Sequence, residues 1–286
     1  MGRGNGPGHP LGQRAGLKTG PSVPMLLGPV EENAMSDIVT VGPVNLDEEL
    51  DRLARRYRAA GGLGVQVLTL LGTQAEGLLE RLPSPMRQGL TVATERALSV
   101  AVRTAQSSRT AVPDQKPWVN TAVTAAMGAA GGFGGLPTAL LELPATTTVL
   151  LRAIQGAAAE QGFDPASPGV QFDCVRVFGS AGPLAHDDGA ELGFVSLRLT
   201  LSGGALHKLI ATVAPRLATV LGQKLATQTV PVLGAVAGAS VNFIYTRYYQ
   251  EIAHVHFALR RLAIDADVSE AELIRALGQR MGRDLS

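Results

Sequence analysis

Two long stretches of this sequence carry no charged side chain, and they limit its fold more than any other feature does. They span residues 118–141 and 225–246. Each exceeds the ~20 residues that a helix needs to cross a bilayer. Prolines interrupt both, however, and their many alanines, glycines and threonines are only weakly apolar. We therefore expect a buried helical hairpin, or a helix pair that docks into one leaflet, rather than a stable membrane span.

Glycines four residues apart recur in both stretches. On a helix, such pairs leave a strip without side chains where another backbone can approach closely. Glycine inside a helix costs roughly 1 kcal/mol relative to alanine, so we expect close contact to recover that cost. The two strips are predicted to pack against each other. The pairs are Gly128 and Gly132, Gly131 and Gly135, and Gly234 and Gly238.

Helical periodicity extends over most of the chain. Asn45 precedes an acidic first turn and Ser269 precedes a last amphipathic segment, so both are predicted helix caps. Further helices are expected at 61–82 and 86–106, and no segment alternates as a strand does. The prediction is an all-α, multi-helix bundle with two glycine-rich, closely packed helical segments and no significant sheet.

Two apolar rows with helical spacing predict which helix faces pack against partners. The first row is Leu90, Ala93, Ala97, Val100 and Thr104; the second is Val241, Tyr245, Tyr248, Ile252, Val255, Leu259 and Leu262.

Two other features bear on the course of the chain. Residues 163–193 are polar and turn-rich, and we interpret them as a connection with one short helix. Pro144 is expected to start or kink a helical turn.

The N-terminal residues differ in composition from the rest. Residues 1–34 are dense in glycine and proline and lack a long apolar core, so neither a signal peptide nor a domain is predicted there. Met35 is an alternative translation start. We divide the chain into residues 1–40, a disordered tail or misassigned start, and residues 41–286, a single helical domain.

Composition and motifs argue against several functions. Basic residues exceed acidic residues by only one, so the chain has no positive electrostatic field that would attract nucleic acid. Cys174 is the single cysteine of the sequence, so no intrachain disulfide can form. The run at 131–137 is followed by no lysine and hydroxyl, so it does not predict a phosphate loop. His254 and His256 face different sides of a helix and do not predict a metal pair. The "HDDG" sequence at 186–189 could offer an acidic loop to a cation, but we interpret it as an ordinary solvated turn. The "FGSAG" sequence at 178–182 matches the nucleophile motif of hydrolases poorly. No catalytic residue, metal or cofactor is predicted.

A few polar residues in or near the uncharged stretches remain as candidates. A carboxylate such as that of Glu142 must reach water, pair with a cation or be protonated, unless it simply lies exposed at a helix start. Arg152 and Lys224 are candidate partners. The amide of Asn242 can tie one helix to another. A buried polar tie, or a functional site, is therefore predicted from Glu142, Arg152, Lys224, Asn242, Thr147 and His256.

Three blocks, in this order, resemble the EcsC family, named after a bacterial protein encoded beside an ABC transporter. They are "GGFGGLPTALLELPATTTVLLRAI", "FDCVRVFG" with the following "DDGAELG", and "QKLATQTVPVLGAVAGASVNFIYTRYYQEIAHVHFALRRL". The resemblance implies an all-helical bacterial protein of the cytoplasm with a membrane neighbourhood and no established reaction. The positions that match are Gly135, Pro137, Glu142, Pro144, Thr147, Arg152, Lys224, Pro231, Gly234, Gly238, Asn242 and Phe257.

The first functional hypothesis is a non-enzymatic protein at the inner face of the cell membrane, where it supports an ABC transporter or secretion. Its partner would be the membrane surface or a membrane complex, and a bound lipid fits this hypothesis. The alternatives are a hydrolase of lipids or peptides, with groups near Glu142, Thr146, Thr147 or His256, and an acyl-chain or lipid carrier. An enzyme would place Glu142 or a histidine in an open cleft.

Overall fold

The computed structural model describes residues 45–62, 84–133, 135–179, 204–227 and 231–282. Within these ranges the chain forms eight helices and no strand, which confirms the predicted all-α bundle. The helices are α1 (Leu46–Ala60), α2 (Ser84–Ala111), α3 (Pro117–Phe133), α4 (Gly135–Glu160), α5 (Pro168–Gly179), α6 (Ala205–Thr227), α7 (Pro231–Asp265) and α8 (Glu270–Arg280).

The helix starts follow the capping chemistry of the sequence. The Asn45 side chain accepts a hydrogen bond from the backbone N–H of Glu48, at 3.3 Å, and Ser269 caps α8 in the same way. Both predicted caps are confirmed. Three other helices begin with proline, whose fixed φ suits the first helical turn and whose missing N–H is not needed there.

The end of α4 directs an aromatic side chain into the core. Gly162 has a φ of +78°, and the Phe163 N–H then bonds to the Ala158 carbonyl at 3.0 Å. This left-handed position favours glycine because it has no Cβ. The turn places the Phe163 ring 5.9 Å from the ring of Phe257, which is fully buried.

Helix α7 is the centre of the bundle. It packs against α1, α3, α4, α5, α6 and α8. All seven residues of the predicted row on this helix are buried, from Val241 to Leu262, so that prediction is confirmed. Burial of each large apolar side chain contributes about 1.5–3 kcal/mol, which explains why the row faces inward.

The apolar row predicted on α2 is only partly its buried face. Ala97 is buried, but Ala93, Val100 and Thr104 are exposed, and the buried face is rotated from the predicted row. This rotated face packs against α4 and α6. The buried row is Thr94, Ala97, Leu98, Ala101, Val102 and Ala105.

The short helix predicted within residues 163–193 is α5, and it belongs to the core. Every residue of α5 from Phe172 to Gly179 is buried, including Asp173 and Arg176. The helix packs against α4, α6 and α7. Pro144 does not start a helix, because α4 runs through it.

Helices α3, α4 and α7 pack against one another and position the candidate site. Helix α3 runs antiparallel to α7, since Thr124 lies beside Thr246 while Thr121 lies beside Gln250. Helix α4 runs parallel to α7. Across the described ranges, no helix combines the length and apolarity needed to cross a membrane.

Several predictions lie outside the described residues. They concern the tail and the start at Met35, most of the helix at 61–82 and the whole of the turn at 186–189. The division into a tail and one domain stays a prediction.

Candidate functional site

Buried hydroxyl and amide groups join α3 to α7 in what we call the polar seam, formed by Thr121, Thr124, Asn242, Thr246 and Gln250. The hydroxyls of Thr124 and Thr246 lie 2.6 Å apart. Thr121 donates to Gln250 Oε1 at 3.3 Å, and Gln250 Nε2 donates to the Pro117 carbonyl at 3.0 Å. The seam therefore pairs polar groups along about two turns of each helix.

Asn242 connects the polar seam to α4. Its Nδ2 donates to the Thr124 carbonyl and to Glu142 Oε1, both at 2.8 Å. Glu142 Oε1 also accepts from the Thr146 hydroxyl at 2.6 Å. One amide thus bonds to both neighbouring helices, and two donors meet on one carboxylate oxygen. Thr147 is buried, but the hydroxyl that reaches Glu142 is that of Thr146, one turn along α4.

Gly128 of α3 packs directly on the backbone of α7. A Cβ at Gly128 would overlap the Gly238 carbonyl oxygen and come 2.6 Å from Asn242 Nδ2. Backbone atoms cannot yield as a flexible side chain can, so this position requires glycine. Gly132 is also buried on α3. Gly135 and Gly234 lie in the first turns of α4 and α7, where side-chain surroundings are outside the described part of the chain.

Arg152 contacts the end of α2. Its guanidinium donates to the Ser108 hydroxyl at 2.8 Å and to the Val112 carbonyl at 2.9 Å, and it lies 3.4 Å from Asp114. Glu142 is ten residues away on the same helix, about 15 Å along its axis. Arg152 therefore holds the α2–α3 connection instead of neutralising Glu142. The side chain of Lys224, the other candidate partner, is outside the described residues.

His256 belongs to a buried ionic cluster between α5 and α7. It is only 2% exposed, and its Nε2 lies 3.7 Å from Asp173. Asp173 also contacts Arg260 at 2.5 Å and Arg176 at 3.3 Å. Burial alone would raise the pKa of Asp173, but His256 and the two guanidinium groups hold it below its ordinary value. His256 therefore lies inside the bundle, where the face of α7 that carries it packs on α5.

His254 faces another side of α7, as the spacing predicts. Its Nδ1 lies 3.4 Å from Glu160, and burial together with the charge of Arg56 lowers its pKa. In the described part of the chain, no group of three acidic, histidine or cysteine side chains is arranged to hold a metal.

The side of α3 that faces away from the polar seam carries apolar residues. Trp118 is 67% exposed and Val123 is 43% exposed, and the nearby solvent-facing positions are alanines. On α7, Val236 and Phe243 are likewise exposed. We call these four residues, with Ala122, Ala126 and Ala130, the outer face. Neither α3 nor the first four turns of α7 contains a charged residue.

The model of the EcsC protein family matches residues 94–262, which include all of α3, α4, α5, α6 and nearly all of α7. The chain belongs to the EcsC family. No curated protein and no solved structure matches it. The family region thus contains the polar seam, the outer face and the ionic cluster, whereas α1 and α8 lie outside it.

Sequence reasoning missed two parts of this EcsC-family site. Thr124 and Thr246 are central to the polar seam. The available signal was the pair Thr121 and Thr124, three residues apart within the uncharged stretch 118–141. Asp173 was missed because its neighbours were assigned to a connection. A lone aspartate within the apolar sequence "VQFDCVRVF" is the signal that could have identified it.

Proposed function

We propose that this EcsC-family protein is a non-enzymatic membrane-associated protein that docks its outer face into one leaflet of a bilayer. The observation that carries the proposal is the inverted polarity of α3, whose buried residues are threonines and glycines, with further exposed apolar residues beside it on α7. A helix on a water-facing surface normally buries its apolar stripe and exposes its polar one. Here the threonines, Asn242 and the Gly128–Gly238 contact lie inside, while Trp118, Val123 and Phe243 point outward.

This arrangement is the one that helices adopt in lipid. Small residues let helices approach closely there, and threonine and asparagine side chains bond across the interface while apolar side chains face the acyl chains. The α3 helix is 17 residues long, so it extends about 26 Å, less than the ~30 Å hydrocarbon core. Shallow docking therefore fits these helices better than spanning.

Two contacts favour a non-catalytic role. Glu142 is bonded to Asn242 and Thr146, and His256 is almost completely buried beside Asp173. A general acid or base needs access to substrate, which His256 lacks in this arrangement. We further propose that the docked protein lies at the inner face of a bacterial cell membrane and assists an ABC transporter or secretion, and membership of the EcsC family supports this proposal.

Vesicle flotation tests the docking. The full chain should float with phospholipid vesicles, and in cells it should leave the membrane pellet with carbonate, before detergent is applied. Val123→Glu and Phe243→Glu each place a charge in the docked face and should weaken vesicle binding about tenfold or more.

The matched control is Val100→Glu on α2, because Val100 and Val123 are equally exposed, at 43%. Flotation that fails for the unchanged protein would rule out docking. If the unchanged protein instead forms a dimer without lipid and Phe243→Glu makes it monomeric, the outer face binds a second copy and the membrane proposal is wrong.

A further inference from the structure

The outer face of α7 ends at an exposed cation. Val236, Ser240, Phe243 and Arg247 follow one another at spacings of four, three and four residues, and all four are solvent-exposed. Arg247 is the first charged residue of α7, and its guanidinium lies 5.9 Å from the centre of the Phe243 ring. The charge therefore lies directly beside the apolar surface.

A second exposed cation lies at the start of α3. Lys116 immediately precedes that helix and is separated by one residue from Trp118. Because α3 and α7 are antiparallel and Thr124 lies beside Thr246, Arg247 is level with Val123 in the middle of α3, and Lys116 lies about two turns further toward one end of the helix pair. The other end of the pair, near Gly128 and Gly238, belongs to the uncharged stretches.

The acidic groups near these cations are already paired. Asp114 contacts Arg109 and Arg152, and Glu251 contacts Arg56 at 2.5 Å. Neither Lys116 nor Arg247 forms an ion pair with any acidic side chain in the described ranges. The edge of the outer face thus carries two positive charges without local compensation.

We propose that Arg247 and Lys116 bind the phosphates of anionic phospholipids and thereby select an anionic leaflet. The inference rests on the docking proposed above and specifies its partner. When Val123 and Phe243 enter the acyl region, the long side chain of Arg247 extends from the edge of the apolar stripe toward the headgroups. Guanidinium groups match phosphate geometry, and exposed tryptophan favours the same interfacial layer.

The test compares vesicles of phosphatidylcholine with vesicles that also contain phosphatidylglycerol. The full chain should bind the anionic vesicles more tightly, and added salt should reduce that preference. Arg247→Gln and Lys116→Gln should each weaken anionic binding about fivefold and leave neutral binding unchanged. The double variant should bind both vesicles equally. Circular dichroism verifies that each variant is folded.

Arg275→Gln is the matched control, since Arg275 is exposed on α8, which does not pack against α3. Equal binding of the unchanged protein to both vesicles would overturn lipid selection but leave docking intact. Absence of binding to either vesicle would overturn docking itself. A loss with Arg275→Gln as large as that with Arg247→Gln would mean that overall charge, and not this edge, attracts the protein.

Discussion

Gly128 and Gly238 lie so close that a methyl group on Gly128 would overlap the Gly238 carbonyl oxygen. This contact brings the backbones of α3 and α7 together at the point where Asn242 bonds across to Thr124. Close approach and hydrogen bonding are therefore linked, since the side chain of Asn242 reaches its acceptor only while the glycine leaves it room.

Gly128→Ala should destabilise the protein by about 1–3 kcal/mol, because the added Cβ forces backbones apart at a packed contact. Alanine's better helix propensity, about 1 kcal/mol, would offset part of this. Urea unfolding followed by circular dichroism measures the change. Gly156→Ala is the control, since a Cβ there would touch nothing within 4 Å. Gly156→Ala should leave the free energy of unfolding unchanged or increase it. Equal losses of unfolding free energy in both variants would contradict a specific contact at Gly128.

Asn242 and Glu142 should be energetically coupled. Asn242→Ala leaves the Thr124 carbonyl and the Glu142 carboxylate without a shared donor, which should cost about 1–3 kcal/mol of unfolding free energy. In a double-mutant cycle with Glu142→Ala, we expect a coupling of about 1 kcal/mol. The same cycle between Asn242 and the distant, exposed Arg275 should give no coupling. Additive effects at Asn242 and Glu142 would mean that their contact does not stabilise the fold.

Arg152→Met should loosen the connection between α2 and α3. The methionine keeps an apolar chain of similar length but loses the bonds to Ser108 and Val112, so a loss of about 2 kcal/mol is expected. Hydrogen exchange at residues 112–116 should accelerate in this variant. Arg103→Met, at an exposed position on α2, is the control. Unchanged exchange at 112–116 would exclude the anchoring role.

Stability at acid pH should depend on Asp173. Because its pKa in the folded protein lies below the ordinary 3.8, the unfolded chain binds the proton first as pH falls. The stabilisation is therefore complete above the unfolded pKa and is lost as pH falls through the folded pKa. Asp173→Asn should flatten this acid decline in unfolding free energy.

Asp173→Asn should also lower the free energy of unfolding by about 3 kcal/mol at neutral pH, because it leaves Arg176 and Arg260 near a neutral side chain. Unfolding in urea at a series of pH values measures both effects. Glu48→Gln, an exposed carboxylate on α1, should leave the acid profile almost unchanged. If the unfolding free energy of Asp173→Asn fell with pH as steeply as that of the unchanged protein, the ionic cluster would not control stability at acid pH.

Local signals in the sequence were sufficient to predict that these segments form helices. The caps at Asn45 and Ser269 depend on residues three positions apart, and the buried row of α7 depends on a period that one helix generates alone. The resemblance to the EcsC family likewise rested on ordered blocks in the chain, and the matched residues confirm it. These features need no knowledge of what packs beside them.

Only the tertiary structure decided which groups meet. Arg152 bonds to the end of α2 and Asp173 joins α7, because the folded helices bring together residues far apart in the chain. The outward position of Val123, next in sequence to the buried Thr124, likewise depends on which neighbours α3 has. Periodicity gives the faces of a helix, but a face is buried or exposed according to the partner that covers it, and that partner is chosen by the whole fold.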